Sequence, residues 1–460
     1  MDVRLRFAAG LLLLAAACPA AGGVTQVLVS FDTEDFTSPG DATAIAEIAD
    51  LCSEEGVPAT FETVGLLAQQ LEAWGRADVV AAMRRHHIGT HTYRHSIHPD
   101  IMELAEGEDY AAAYRRVYDE EAKSVAIVKR VLGVDRIWSS APPGNAEPYV
   151  AGRVYADLGI QVDLGASYLA RRGGDAWFGG QLRIPYALCM DFFFDEKGAW
   201  EPGKLLDRLA TGTRIAIYTH PNRVRSLRFW DDINYHGTNS CGWGEWKLSP
   251  QRTAACVARG YARMREFFRL LKADPRFRIV SVEDICSAIK PRVAIRRSDV
   301  PALRRALEAK LGPIREPANW CVADVFCAAV AFLRGEDEFL PTNGFGFLYD
   351  PEAVAEPTTV TRADLVAAAR TMDVRAFLPA AVKVGSRTVG PADFLFAALA
   401  TLETGAESVR IVPREQLGAF DHWPRLGKIR YAGTWMHTPA FKDEWISKRM
   451  RLQLWTLRFE

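Results

Sequence analysis

Short apolar runs alternate with amphipathic segments over the first two thirds of the chain. Short apolar runs predict buried strands, and a 3.6-residue apolar period predicts helices. The predicted strands are 27–31, 59–61, 87–90, 136–140, 159–162, 182–184, 214–218 and 277–280. The predicted helices are 42–55, 64–73, 76–86, 108–132, 147–158, 202–211 and 250–272. Repeated strand–helix units predict an α/β fold with a parallel sheet, and their number favours a barrel over residues 24–290.

The pattern changes after residue 290. A basic, proline-containing stretch predicts a linker at 291–300. The following residues predict a second, mainly helical domain over 301–460, to which the sequence assigns no role. Its Ala-rich helical runs lie near 300–311, 318–334, 361–372 and 391–403.

Composition narrows the class of protein without naming a function. The chain has 460 residues, of which 49% are hydrophobic and 25% charged, which excludes a disordered, collagen-like or coiled-coil protein. Lys and Arg total 56 against 57 Asp and Glu, so the concentrated positive charge of a nucleic-acid-binding protein is missing. An enzyme or a binding protein remains.

The N-terminus predicts export. Residues 1–23 place Arg4 and Arg6 before an apolar run at 7–17, followed by small residues, as in a secretory signal peptide. The residues before Cys18 also resemble a weak lipobox, so a lipoprotein anchored at Cys18 is an alternative. The expected location is the periplasm, the envelope or the medium. The spacing of the other seven cysteines predicts no disulfide.

Three carboxylates follow the first predicted strand. Asp32, Glu34 and Asp35 can bind a cation and supply a base there, although an acidic solvated turn would have the same pattern. His91 and His95 follow the strand at 87–90. Two histidines at i and i+4 can project from one face of a helical turn and bind one Zn²⁺, Co²⁺, Ni²⁺ or Fe²⁺ ion.

A single histidine, His220, follows the strand at 214–218 and is placed to exchange a proton over the barrel mouth. In parallel α/β barrels the C-terminal strand ends form the active site. The carboxylates, the His-x₃-His pair and the late histidine therefore predict a metal-assisted amide or ester hydrolase.

These elements resemble the NodB-homology polysaccharide deacetylases of the carbohydrate esterases, family 4. The resemblance covers about residues 26–290. It rests on Ser-Phe-Asp-Thr-Glu-Asp at 30–35, Ala-Thr-Phe at 59–61, Ile-Gly-Thr-His-Thr-Tyr-Arg-His at 88–95, Ala-Pro-Pro-Gly at 141–144 and Tyr-Thr-His at 218–220. It implies a distorted (β/α) barrel and metal-dependent removal of acetyl groups from N-acetylated sugars.

The same resemblance implies residue roles. Asp32 would be the base and His220 the general acid. His91 and His95 would bind the metal, with Glu34 as the natural third ligand and Asp35 as the alternative. The expected cofactor is one divalent transition metal, zinc first, with cobalt, nickel or iron as alternatives. Pro142 and Asp163 belong to motifs expected to contact substrate.

Two departures from the family pattern affect this interpretation. Ser140 stands where the family usually has an arginine that pairs with the catalytic aspartate, and the motif around Asp163 lacks its tryptophan. An aromatic stretch at 228–246 suits stacking on sugar rings, and Trp230, Asp231 and His236 are its candidate substrate contacts. A structural excursion pinned against the barrel is the alternative.

We therefore expect an exported, metal-dependent hydrolase that removes acyl groups from a saccharide polymer or oligosaccharide, with no nucleic-acid partner and a possible association with the cell wall or envelope. An amidohydrolase acting on a small non-sugar amide is a second hypothesis. A carbohydrate- or wall-binding protein that has lost turnover is the third.

Overall fold

The computed structural model describes residues 23–107, 109–145, 147–165, 176–196, 199–234, 245–342, 344–373, 375, 377–418, 437, 441 and 444–459. Residues 1–22 of the predicted signal peptide, which include Cys18, and the predicted substrate contact His236 lie outside the described residues. None of the helices in the described part of the chain is both long and apolar enough to cross a bilayer.

The elements follow the order that the sequence predicts through most of the first 290 residues. The strands are β1 Thr25–Thr33, β2 Ala59–Thr63, β3 His87–Thr90, β4 Ser139–Ser140, β5 Val162–Leu164, β6 Ala176–Phe178, β7 Gln181–Ile184, β8 Tyr186–Cys189, β9 Arg214–Thr219, β10 Phe277–Ile279, β11 Ile295–Arg296, β12 Glu338–Phe339, β13 Thr358–Thr361, β14 Val382–Val384, β15 Arg387–Val389, β16 Ser408–Ile411 and β17 Arg458–Phe459. The helices are α1 Pro39–Glu54, α2 Gly65–Ala73, α3 Ala77–Met83, α4 Ile101–Leu104, α5 Tyr110–Leu132, α6 Ala151–Asp157, α7 Pro202–Leu209, α8 Asn222–Arg225, α9 Trp230–Asn234, α10 Ala254–Ala273, α11 Val282–Ala288, α12 Val300–Ala309, α13 Val322–Leu333, α14 Arg362–Thr371, α15 Pro391–Thr404 and α16 Glu444–Arg451.

A curled, mainly parallel sheet forms the first domain. Strand β1 lies between β2 and β9, and the order continues through β3, β4, β5 and β7 on one side and through β8 on the other. Strands β7 and β8 are consecutive in the chain, yet β7 pairs with β5 and β8 pairs with β9. This run of chain therefore joins the two ends of the sheet, which confirms the predicted distorted (β/α) barrel.

The buried strands explain why the site forms where it does. Every residue of β1 except Gln26 is buried, because a parallel strand is covered on one face by helices and on the other by the barrel interior. The interior is polar near the C-terminal strand ends. There Asp32 on β1 is in register with Glu62 on β2, and Ser140 on β4 is in register with Asp163 on β5.

In the described residues of the C-terminal region, α12 and α13 pack against α15, and three two-stranded antiparallel sheets lie beside the helices. The predicted linker at 291–300 includes β11, where Ile295 is fully buried and pairs with Phe339 on β12. The chain then returns to the barrel at its end, because Arg458 and Phe459 pair antiparallel with β6. The two regions are therefore joined through a shared sheet edge.

Candidate active site

Three predicted metal ligands come together at the C-terminal ends of β1 and β3. One ligand atom from each of Glu34, His91 and His95 lies within 4.8 Å of the other two. The Nε2 atoms of His95 and His91 lie 2.9 and 3.7 Å from Oε2 of Glu34. Each side chain is at most 3% exposed. Burial would raise the pKa of Glu34, but His95 and His220 hold it well below its ordinary value.

The loop that carries the two histidines is not the helical turn predicted from their spacing. Thr92 and His95 have positive φ angles of 65° and 54°, which a right-handed helix excludes. Tertiary hydrogen bonds hold this conformation: the amides of Gly65 and Leu66 donate to the carbonyls of Thr92 and Tyr93, and the Tyr93 amide donates to Glu121. Non-glycine residues in this region cost energy and are concentrated at functional sites.

The residues behind His95 were predicted to contact substrate, and the structure gives them another position. Oδ2 of Asp231 accepts a hydrogen bond from Ser96 at 3.1 Å and lies 3.4 Å from Nδ1 of His95. Trp230 is 2% exposed and packs between Phe36 and His95. A carboxylate behind a ligand histidine fixes the orientation of its ring. Asp231 and Trp230 thus lie buried against His95, and their contact with substrate remains a prediction.

Asp35, the alternative third ligand, faces away from this group. Its Oδ1 accepts hydrogen bonds from the amides of Thr37 and Ser38 and from the Thr37 hydroxyl. Burial and the neighbouring Asp41 raise the pKa of Asp35 well above its ordinary value. A carboxyl group in this environment organises the start of α1, so the geometry favours Glu34 as the ligand.

Asp32 lies beside the metal ligands and beside the predicted acid. Its Oδ1 accepts a 3.0 Å hydrogen bond from the hydroxyl of Tyr186, and its Oδ2 is 3.7 Å from Nε2 of His220. Burial raises the pKa of Asp32, and His91, His220 and the Tyr186 hydroxyl oppose that rise. The carboxylate is therefore a stronger base than an exposed aspartate and is held in one orientation.

His220 is oriented by Asp191, a residue that the sequence analysis did not single out. Nδ1 of His220 lies 2.9 Å from Oδ2 of Asp191, and the His220 amide donates to Oδ1 at 3.0 Å. Burial would lower the pKa of His220, but Asp191 and Glu34 raise it well above its ordinary value. The imidazolium form of His220, which can donate a proton, is thereby stabilised.

The position of the missing arginine is filled by a different network. Ser140 donates to Oδ1 of Asp163 at 3.2 Å, and Oδ2 of Asp163 lies 3.0 Å from Arg183 on β7. Arg183 is fully buried and also pairs with Glu147 at 2.5 Å. Arg136, four residues before Ser140 in the chain, stacks over Trp138. Asp163 is thus part of an internal ion network, and its contact with substrate remains a prediction.

Pro142 is buried directly after β4, among the residues that follow Ser140. Its ring has no hydrogen-bonding group. Its predicted contact with substrate remains a prediction. Sequence reasoning missed Asp191, Tyr186 and Arg183, and the only available signal was their position in or just after an apolar run.

The donor set of Glu34, His91 and His95 fits a divalent transition metal. Two imidazoles and one carboxylate, all buried, match the three-protein-ligand arrangement of catalytic zinc sites, and they also suit cobalt, nickel or iron. The electrostatics agree: burial would lower the pKa of His95, but Glu34 and Asp231 raise it to about 9. The surroundings therefore stabilise positive charge at this point.

Comparisons with known proteins support the family resemblance. Residues 22–162 match the polysaccharide deacetylase family model, and no curated protein matches the chain. The matched range includes Asp32, Glu34, His91, His95 and Pro142, whereas Asp163 and His220 lie beyond it.

Three solved structures similar to this chain share little of its sequence. A protein from Mycobacterium smegmatis assigned to the polysaccharide deacetylases is 16% identical, over 61% of this chain and 98% of that one, with a TM-score of 0.39. A variant of the peptidoglycan deacetylase PdaC from Bacillus subtilis is 10% identical, over 62% and 97%, with a TM-score of 0.31. A carbohydrate esterase family 4 pseudoenzyme from Bacillus anthracis is 14% identical, over 43% and 54%, with a TM-score of 0.28.

The resemblance drawn from the motifs is thus confirmed where the family model applies: the chain carries, at residues 22–162, a domain of the polysaccharide deacetylase family, which consists of hydrolases acting on carbon–nitrogen bonds other than peptide bonds.

Proposed function

We propose that the protein is an exported, metal-dependent hydrolase that removes acyl groups, acetyl first, from an amino sugar or a polysaccharide. One observation carries the proposal: the convergence of Glu34, His91 and His95 next to the Asp32–His220 pair. A pure binding protein needs no metal ligands placed beside a base and an acid.

Glu34, His91 and His95 would hold the ion. When bound, a divalent ion supplies Lewis-acid chemistry, polarising a carbonyl oxygen and making water more acidic. Asp32 then accepts the proton of the attacking water. Its raised pKa suits this role, because a general base works best when its pKa approaches the operating pH.

His220 would donate the proton that the departing nitrogen needs. Its 3.7 Å separation from Asp32 puts the acid and the base on neighbouring sides of one reacting centre. Asp191 keeps the imidazole in the protonated form and fixes its ring by holding Nδ1. Base and acid thus come from different strands, and the barrel holds them at a fixed distance.

Loss of turnover with retained saccharide binding is the competing function, and Ser140 favours it because the usual arginine is missing. Two contacts argue against it. Tyr186 hydrogen-bonds Asp32, so the base still has an orienting partner, and a different arginine, Arg183, pairs with Asp163 next to Ser140. The proposed base therefore keeps a partner that fixes its orientation, although the usual arginine is missing.

The test is the metal stoichiometry of the purified chain, followed by deacetylation of N-acetylated oligosaccharides by the loaded protein. Without excess metal, we expect about one transition-metal ion per chain in the wild type and none in a His91→Ala/His95→Ala variant. His87→Ala is the matched control, because this histidine begins β3, the strand before the two ligands, and pairs with the exposed Glu283. Asp32→Asn should keep the ion and lose turnover.

Two outcomes would contradict the proposal. If the wild type binds no metal after loading with Zn²⁺ or Co²⁺, the protein is a binding protein at most. If Asp32→Asn hydrolyses the substrate at the wild-type rate, Asp32 is not the base.

A further inference from the structure

A second group of metal-binding side chains lies beside the first, in residues that the sequence did not link. One ligand atom from each of Cys189, Asp191 and His220 lies within 4.8 Å of the other two. Cys189 ends β8, and Asp191 begins the short 3₁₀ turn Asp191–Phe194 that follows it. The register of β8 with β9 pairs Cys189 with Tyr218, two residues before His220.

Two side chains of this group already contact each other, because Asp191 holds Nδ1 of the His220 imidazole at 2.9 Å. The group is also nearer to solvent than the buried ligands. His220 and Asp191 are 15% and 18% exposed, against 2–3% for Glu34, His91 and His95.

We propose that Cys189, Asp191 and His220 form a second, thiophilic metal site that takes Zn²⁺ or Co²⁺ when these ions are in excess. A thiolate, an imidazole and a carboxylate are ligands that zinc and cobalt accept, whereas Mg²⁺ and Ca²⁺ prefer oxygen alone. Binding replaces protons with the ion: the Cys189 thiol and the His220 imidazolium each lose one proton to solvent, and Asp191 binds as a carboxylate.

The consequence for catalysis rests on the proposed function, in which His220 is the general acid. An ion bound at Nδ1, the nitrogen next to Asp191, leaves His220 a neutral imidazole. Its remaining Nε2 proton is far less acidic than that of the imidazolium and is transferred poorly to the departing nitrogen. Occupancy of the second site therefore inhibits deacylation, and the first site with its Glu34, His91 and His95 ligands stays filled. The same metal that activates the enzyme at one equivalent inhibits it in excess.

Cobalt distinguishes the two sites, because only the second contains sulfur. The metal-free full chain is titrated with Co²⁺ and followed in the near ultraviolet, where thiolate-to-cobalt charge transfer absorbs strongly. The wild type should bind two ions and develop the charge-transfer band. Cys189→Ser should bind one ion without the band. Cys286→Ser, which changes another partly buried cysteine, on α11, should behave as the wild type.

A His91→Ala/His95→Ala variant separates this proposal from the proposed function. It should lose the first ion and keep the charge-transfer band. A band that fails to appear in the wild type at excess Co²⁺, or that persists in Cys189→Ser, overturns the second site. A wild type that shows the band but binds no ion at the first site refutes the proposed function and leaves the second site standing.

Inhibition supplies the functional readout. The rate of each protein is expressed relative to its own rate at one equivalent of Zn²⁺. The Zn²⁺ concentration that halves deacetylation should be at least about tenfold higher for Cys189→Ser than for the wild type, because the variant has lost one of the three ligands. Equal inhibition of both proteins would mean that zinc inhibits elsewhere and would remove the regulatory part of the proposal.

Discussion

Asp191 holds His220 through two atoms of the histidine at once: Oδ2 lies 2.9 Å from Nδ1 of the ring, and Oδ1 accepts the backbone amide of His220 at 3.0 Å. The hydroxyl of Thr219 donates to the same Oδ1 at 2.7 Å. One carboxylate therefore fixes both the backbone and the ring of the proposed acid. The sequence places the two residues 29 positions apart, and only the pairing of β8 with β9 brings them together.

Asp191→Asn should lower the pKa of His220, because the negative charge that stabilises the imidazolium is removed. A general acid must be protonated to act, so the basic limb of the pH–rate profile should move to lower pH. The maximal rate should fall about 10²-fold. Asp195→Asn is the control, since Asp195 pairs with Arg252. If the basic limb of the pH–rate profile did not move, His220 would not be the general acid.

Tyr186→Phe should release the proposed base from its fixed orientation without affecting the metal. The hydroxyl of Tyr186 donates to Asp32, and a hydrogen bond to a charged group contributes about 1.5–3 kcal/mol. We expect kcat to fall about tenfold or more, with KM and metal content unchanged. Tyr218→Phe keeps the aromatic stack with Tyr186 and should not reproduce this loss of kcat. A parallel loss of metal would point to a structural role for Tyr186.

Arg183→Met should destabilise the barrel strongly. Arg183 is fully buried between Asp163 and Glu147, and removing one partner from a buried ion network costs about 3–5 kcal/mol. Urea unfolding gives the difference in free energy. The triple variant Arg183→Met/Asp163→Asn/Glu147→Gln should be less destabilised than Arg183→Met, because it leaves no unpaired charge. If the single and triple variants were equally stable, charge pairing would not be the cause.

Glu121 should make stability depend on pH. Burial raises the pKa of Glu121 from 4.5 to about 8, against the opposing hydrogen bonds from Tyr155 and the Tyr93 amide. Between these values the folded protein holds a proton that the unfolded chain has lost. The free energy of unfolding should therefore fall as the pH rises through this window, by at most about 1.4 kcal/mol per pH unit.

Glu121→Gln tests this slope, because glutamine resembles the protonated acid and cannot titrate. The variant should lose less stability than the wild type between pH 5 and about pH 8, as measured by urea unfolding at each pH. Glu120→Gln is the control on the same helix, since Glu120 pairs with Arg94 outside this buried pocket. Identical slopes for the wild type and Glu121→Gln would assign the pH dependence to other groups.

Much of the barrel was predictable because its elements have strong local signals. Helix α5 is capped by Asp109 and ends at Gly133 with a φ of 62°, so the predicted range 108–132 differs by only a few residues from Tyr110–Leu132. Strands β6 and β8 were missed. Strand β8 is half-exposed and rich in aromatic residues, and it follows β7 after a single proline, so no turn signal separates the two.

The sequence by itself determined the chemistry of the candidate site: which side chains follow which strands, and that Asp32, His91, His95 and His220 belong together. Their spacing could not give the loop conformation, because the positive φ angles of Thr92 and His95 depend on hydrogen bonds from α2 and α5. Nor could it choose between Glu34 and Asp35, adjacent carboxylates whose directions are set by contacts distant in the chain. The loop conformation, the choice of Glu34 and the partners of the site residues depend on the tertiary structure. The partners are Asp191, Tyr186 and Arg183, which the barrel brings to the site from separate strands. Such contacts leave no local pattern in the sequence.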